Sequence, residues 1–278
     1  MSHFTTKDLG NDIIRIEGQG AVGMYLVIGE NKAVLLDTGL GTHDLKAFVE
    51  TLTDKPIEVY LTHGHLDHAG GMYRFNQVHM SHKDLGMLKS NTKADRLQYM
   101  DMLKTFAGKT EWTESDVCDV RDVDIIDIED GEVNDLGGRT LTAIDFSGHT
   151  KGSMAFYDDR SKYLFVGDCC NNSTWLFMED STSVSYYLGS LERIKKEWVP
   201  KMDAMVICHD YDVVSNECID NVIDCCERIL AGTDDKEEFV HPNPMVAGMP
   251  VKWASKGGAD REDGKFGNVA YNYKQVKQ

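Results

Sequence analysis

Thr62-His63-Gly64-His65-Leu66-Asp67-His68 decides the fold, because it sets four metal-binding side chains, His63, His65, Asp67 and His68, within six consecutive positions. In extended or looping backbone, alternate side chains share a side, so His63, His65 and Asp67 are expected on one side and His68 on the other. One short loop can then serve two neighbouring metal ions. Neutral imidazole with carboxylate suits zinc, iron or manganese rather than calcium or magnesium, which prefer all-oxygen shells. A solvated, histidine-rich turn would lack this spacing, and it would lack the apolar lead-in Ile57-Glu58-Val59-Tyr60-Leu61.

Upstream of that strand the chain reads as strand, turn, strand, strand: Ile13-Ile14-Arg15-Ile16, residues 23–28, and Lys32-Ala33-Val34-Leu35-Leu36, with Glu30-Asn31 as a hairpin turn. The third strand ends in Asp37-Thr38-Gly39, and a helix is expected from about 43 to 52. Downstream, residues 82–112 turn helical and methionine-rich, with Met87, Leu88, Leu97, Met100, Met102, Leu103 and Phe106 unevenly spaced. This segment reads either as an insertion that roofs a site with adaptable apolar side chains or as ordinary packing onto a sheet.

Three more apolar strands each run into a potential ligand: Thr140-Leu141-Thr142-Ala143-Ile144 into Gly148-His149, Tyr163-Leu164-Phe165-Val166 into Gly167-Asp168, and Ala204-Met205-Val206-Ile207-Cys208 into His209. Ligand sites lie outside the carboxyl ends of strands in sheets covered by helices. A helix is expected from about 216 to 230, and a loop-rich tail over 241–278, whose stretch 268–273 reads as a returning edge strand. The tail is too short for a core of its own. A single domain over 1–278 is expected, with its core at about 10–215, the insertion at 82–112 and an extension at 241–278.

The 278 residues carry 41% hydrophobic content, enough for a substantial core, and a formal net charge of −17. That charge repels phosphate backbones and makes nucleic acid a poor partner. No apolar run reaches the length of about 18 residues that spans a bilayer. The start, Met1-Ser2-His3-Phe4-Thr5-Thr6-Lys7-Asp8, lacks the basic and apolar regions of a secretory signal. A cytoplasmic protein without a membrane partner is expected, with its oligomeric state left open between a monomer and a homo-oligomer. Seven cysteines, an odd number without a C-x-x-C pair, read as reduced thiols. Cys225 and Cys226 belong to helix packing. Cys169 and Cys208 each adjoin a ligand candidate, as supports for it or simply as packed side chains.

With these residues assembled, the chain resembles the metallo-β-lactamase superfamily over about residues 10–215. Its landmarks stand in the family's order: Asp37, the loop from His63 to His68, His149 in Gly148-His149-Thr150-Lys151-Gly152-Ser153, Asp168 in Gly167-Asp168, and His209 after a strand. The resemblance implies an α/β protein, a four-layer αβ/βα sandwich with a two-metal site at one edge. It implies that His63, His65 and His149 hold one ion, that Asp67, His68 and His209 hold the other, and that Asp168 bridges them. Asp37 would support the loop by hydrogen bonding. An aspartate at 168 looks like the glyoxalase II and lactonase branch, where many true β-lactamases carry cysteine or serine. Flavodiiron proteins, β-CASP nucleases and transfer-RNA maturation nucleases need features that this chain lacks.

The resemblance further implies two divalent ions, zinc foremost and iron or manganese equally compatible with the donors, and a metal-bridging hydroxide as the nucleophile. The substrate would be a small ester, thioester, lactone or amide, with Asp67 orienting the water and shuttling its proton. Trp175, Leu176, Phe177, Met178, Tyr186 and Tyr187 follow Asp168 closely enough to line an apolar pocket, or to pack beneath the sheet. Lys151 can grip a carboxylate or stay solvated, and Tyr211 can donate to a leaving oxygen. The alternatives are a single-iron enzyme resembling the persulfide dioxygenases and a phosphodiesterase.

Overall fold

Strands that are apolar at nearly every position need cover on both faces, because successive side chains point opposite ways. The computed structural model of the chain describes residues 3–18, 22–107, 112–240, 246 and 248–277. One sheet has seven strands in chain order: β1 (Thr5–Asp8), β2 (Ile13–Glu17), β3 (Gly23–Ile28), β4 (Ala33–Leu36), β5 (Ile57–Tyr60), β6 (Gln77–His79) and β7 (Asp124–Ile126). The next strands are β8 (Val133–Asp135), β9 (Thr140–Asp145), β10 (Met154–Asp158), β11 (Tyr163–Gly167), β12 (Thr174–Leu176), β13 (Ala204–Ile207) and β14 (Val213–Val214). All of these but β12 form a six-stranded sheet ordered β14-β13-β11-β10-β9-β8. A four-stranded sheet joins β12 to the tail in the order β12-β17-β16-β15, with β15 at Glu237–Glu238, β16 at Val251–Trp253 and β17 at Val269–Asn272.

The alternation shows where the layers lie. In β3, Tyr25 and Val27 share a buried cluster with Phe156, Phe165 and Val206 of the second sheet. Met24 and Leu26 turn the other way, toward the helices α1 (Leu45–Val49) and α2 (Leu66–Ala69), through Leu45, Val49 and Ala69. The helix α3 (Lys93–Ala107) contributes Met100 to a smaller cluster with Leu40 and Val117. In the second sheet, Leu164, Val166, Met205 and Ile207 face α4 (Val184–Glu197) and α5 (Glu217–Ala231) through Tyr187, Leu191, Val222 and Cys226. The result is helix, sheet, sheet, helix: the αβ/βα sandwich. Burying one Phe or Leu stabilises by about 1.5–3 kcal/mol, against about 0–1 kcal/mol for a surface ion pair, so these apolar layers dominate the stability.

Several sequence expectations are adjusted. The helix expected at 43–52 shortens to Leu45–Val49, because His43 sits at φ 54° and Asp44 caps the helix by accepting from Ala47 N at 3.0 Å. The segment at 82–112 is a 3-10 stretch, His82–Ser90, followed by α3; its residues 108–111 and the side chain of Phe106 lie outside the described residues. In the tail, residues 241–245, 247 and 278 lie outside them as well. The strand expected at the tail's end is not an edge. β17 lies between β12, parallel to it, and β16, antiparallel, because Val269 and Tyr271 face the core beneath α5 while Ala270 faces an aromatic cluster. Among the described residues no helix is long and apolar enough to cross a membrane.

The strand directions position the site. β4 and β5 are parallel, and β11 is parallel to β13 and antiparallel to β10, which is antiparallel to β9. The carboxyl ends of β9, β11 and β13 therefore share one edge of the second sheet. Met154 N donates to Thr62 O at 2.8 Å, and Gly23 N to Cys208 O at 2.7 Å, tying this edge to the corresponding edge of the first sheet.

Candidate metal centre

The loop after β5 does not stay extended. His65 precedes α2, and its carbonyl accepts from His68 N at 3.0 Å and Ala69 N at 2.8 Å. Alternation therefore ends at His65, and neighbouring helical residues, about 100° apart at 3.6 residues per turn, send Asp67 and His68 off together. This corrects the expected grouping of Asp67 with His63 and His65 by side. The donor atoms of His63, His65 and His149 lie within 4.8 Å of one another, and so do those of Asp67, His68 and His209. His65 Nδ1 is 3.0 Å from His63 Nε2 and 2.9 Å from His149 Nε2. Asp67 Oδ2 is 3.8 Å from His209 Nε2. Asp168 Oδ2 stands between the groups, 3.7 Å from His149 Nε2, 3.5 Å from His68 Nε2 and 3.3 Å from His209 Nε2.

Partners on the outer ring atoms set how these imidazoles point. His149 Nδ1 donates to Trp175 O at 2.9 Å, which leaves the Nε2 lone pair facing the other histidines. His65 Nε2 donates to Asp180 Oδ2 at 3.0 Å and His68 Nδ1 to Asp37 Oδ2 at 2.8 Å. Thr62 Oγ1 accepts from His63 Nδ1 at 3.0 Å and donates to Asp37 Oδ2 at 2.9 Å. Gly167 must be glycine: at φ 50°, an added Cβ would come within 2.6 Å of Thr62 Oγ1. Carboxylate and carbonyl anchors of this kind orient histidines that bind metals.

The donor set fits a cation. Asp168 Oδ1 and His68 Nε2 are buried without a hydrogen-bond partner, a state that costs about 1–3 kcal/mol per group unless something compensates it. Burial and the neighbouring His68, His65 and His149 hold His63 well below the usual histidine value, and burial with His65 holds His149 down to about 4. Burial works against charge at His209 as well, but the Asp168 carboxylate outweighs it and pushes His209 up to about 9. At His68 burial is outweighed by Asp168 and Asp37, and at His65 by Asp180, so both are raised. Positive charge is favoured beside the carboxylates, which is what a cation held among these donors would supply.

All seven cysteines are buried, free thiols. Cys208 Sγ lies 3.8 Å from Asp37 Oδ2, and burial pushes its thiol up to about 12. Cys169 is raised well above the ordinary thiol by burial and Asp168. Both remain protonated and pack; neither offers a thiolate.

The five pocket candidates spread more widely. Trp175 reaches the histidines through its carbonyl, and its ring lies tilted against Phe177 with centroids 4.9 Å apart, Phe177 being buried among Val246, Val251 and Trp253. Tyr186 is exposed on α4, and Lys151 is exposed with Nζ 3.4 Å from Glu179 O. Tyr211 is exposed, its ring edge-on to Phe266 at 5.3 Å.

Three residues absent from the sequence reading belong to the site. Asp180 anchors His65, as above. Buried Asp84 accepts from Gly64 N at 3.1 Å, Gly152 N at 2.7 Å and Thr150 Oγ1 at 2.7 Å, pinning the His63–His65 turn to the His149 turn. Tyr99 donates to Asp67 Oδ2 at 3.2 Å. Each is a lone polar residue far in sequence from its partner, and no spacing rule marks it. Asp180→Ala is expected to weaken metal binding about 10–100-fold while the far-UV circular dichroism stays unchanged. Competition against a chromophoric chelator measures it, and unchanged affinity would remove Asp180 from the site.

The sequence matches the family described as the metallo-beta-lactamase superfamily over residues 18–209, more than half of the chain. It is 27% identical over 211 residues to the acyl-coenzyme A thioesterase MBLAC2 of Homo sapiens, spanning 69% of this chain and 75% of that protein. It is 26% identical over 183 residues to the hydroxyacylglutathione hydrolase of Hyphomonas neptunium, spanning 66% of this chain and 59% of that one. Among solved structures, the metallo-beta-lactamase from Pontibacter korlensis superposes with a TM-score of 0.59 at 17% identity, covering 81% of this chain and 99% of that one.

Proposed function

The chain belongs to the metallo-beta-lactamase superfamily, and from that premise we propose that it is a two-metal hydrolase of small carboxylic derivatives, thioesters first among them. One observation carries the two-metal reading: Asp168 Oδ2 lies 3.3–3.7 Å from imidazole nitrogens of both donor groups. His63, His65 and His149 would hold one ion, Asp67, His68 and His209 the second, and Asp168 both. Zinc is the ion that these nitrogen and oxygen donors favour first. Bound there, a metal pair supplies Lewis-acid polarisation of a carbonyl oxygen and a water acidic enough to ionise near neutral pH. Asp67 would orient that water and accept its proton at the carboxylate. Asp37, Asp180, Thr62 and Trp175 keep the imidazoles aimed, so little reorganisation accompanies the reaction. The thioester preference rests on the named activities of the thioesterase and the hydroxyacylglutathione hydrolase, both relatives at similar identity.

Metal analysis of protein purified without chelator, with turnover of a thioester, a lactone, a β-lactam and a phosphodiester, tests this reading. Two zinc ions per chain with cleavage of one carboxylic class supports it. A single iron with oxygen consumption, or phosphodiester cleavage alone, overturns it.

The two ions should also leave in order as pH falls. His68 and His209 are both raised, so binding the second ion displaces two protons, whereas in the first group only His65 is raised. A raised value means the proton competes with the ion over a wider pH range, for His209 from about 9 downward, and affinity drops about tenfold per pH unit for each proton displaced. Acidification from pH 8 to pH 5 is therefore expected to release the second ion before the first, which metal analysis after dialysis at each pH resolves. Simultaneous loss would contradict it.

A further inference from the structure

Asp67 and His68 both sit on α2, a helix of only four residues. Helices shorter than about 12–15 residues do not hold themselves in water, so α2 needs outside support. The support comes from α3. Fully buried Arg96 donates from Nη1 to Gly70 O, at the carboxyl end of α2, at 2.7 Å, and from Nη2 to Cys118 O at 2.8 Å. Tyr99, three positions on and therefore on the same face of α3, donates its hydroxyl to Asp67 Oδ2 at 3.2 Å. Leu66, the first residue of α2, packs against the same buried cluster, centred on Met100 of α3, as Leu97 and Leu103. α3 thus grips α2 at both ends.

The oxygen that Tyr99 touches is the one that faces His209. A carboxylate oxygen has more than one lone pair, so Oδ2 can accept from a phenol and still face a cation. Without the phenol, Asp67 Oδ2 loses the hydrogen bond that holds it on the side of His209.

We propose that Tyr99 is a positioning residue for the second metal ion: it holds Asp67 Oδ2 toward His209, so that the affinity of the second site, and not of the first, depends on α3. The proposal rests on the two-metal reading above. Its hydrogen bond is that of a neutral phenol and needs no proton transfer.

The test is zinc titration of the full, metal-stripped chain against a chromophoric chelator, with cobalt absorption spectra recorded at one and two equivalents. In Tyr99→Phe the first equivalent should bind as in the parent chain, and the second about 10–100-fold more weakly with an altered cobalt spectrum. Tyr273→Phe, at an exposed tyrosine of the tail, should change neither. Unchanged affinities and spectra in Tyr99→Phe would overturn the proposal, as would equal weakening of both ions with a lowered melting temperature. If Tyr99→Phe fails to fold, Tyr99→Gln, which retains a donor, decides: a parent-like second affinity supports the proposal and a weakened one overturns it. A parent chain that takes up only one equivalent would overturn the two-metal reading itself, an outcome distinct from the others.

Discussion

Asp168→Ala is expected to lower kcat/KM on the preferred substrate about 1,000-fold or more while the sandwich stays folded. The side chain comes from the carboxyl end of β11, and its Oδ2 stands 3.3–3.7 Å from His68, His149 and His209. Removing it leaves the raised His68 and His209 without the carboxylate that holds their charge, and it removes the oxygen that stands between the two donor groups. Loss of one ion's charge stabilisation removes several kcal/mol from the transition state, and about 4 kcal/mol corresponds to about 10³ in rate. Asp168→Asn should lose nearly as much, because it keeps the shape and removes the charge. Zinc content per chain and steady-state turnover read the result together. Activity of Asp168→Ala within tenfold of the parent would sink the assignment of Asp168 as the shared ligand.

Asp37→Ala is expected to damage stability and the site together. Asp37 is fully buried, sits at φ 64°, and donates its backbone N–H to Tyr60 O at 2.9 Å. Its carboxylate accepts from Thr62 N at 2.8 Å, Thr62 Oγ1 at 2.9 Å and His68 Nδ1 at 2.8 Å. Truncation strands three buried donors at about 1–3 kcal/mol each, comparable to the roughly 3–5 kcal/mol lost on breaking a buried ion pair. Alanine also tolerates the left-handed backbone poorly. For a chain of this size each kcal/mol lowers Tm by about 2–4 °C, so a fall of roughly 6 °C or more is expected in the metal-free protein, with weakened metal binding because His68 loses its anchor. A melting temperature within 2 °C of the parent's would show that solvent or a rearranged loop satisfies these donors.

Much of the fold was legible because strand periodicity is local. The apolar runs that became β3, β4, β5, β9, β11 and β13 announced themselves within a few residues, and all of these but β3 lead within a few positions to a histidine or aspartate. The loop misled in one respect. Alternation held through His65 and then failed, since hydrogen bonds from His68 and Ala69 back to the His65 carbonyl start a helix in which Asp67 and His68 turn together. The tail misled in another, because β12 claimed the open side of β17 and made an interior strand of an expected edge.

By itself, then, the sequence determined the family and the layered sandwich and marked the candidate donors, because the residue types, their spacing and the strands before them are written in consecutive positions. Only the tertiary structure decided which carboxylate steadies which imidazole. Asp180 meets His65 across 115 positions, Tyr99 meets Asp67 across 32, and Asp84 meets Gly152 across 68. Hydrogen bonds of that reach follow from how loops of different strands converge at one sheet edge, and no local period of 2 or 3.6 residues encodes that convergence.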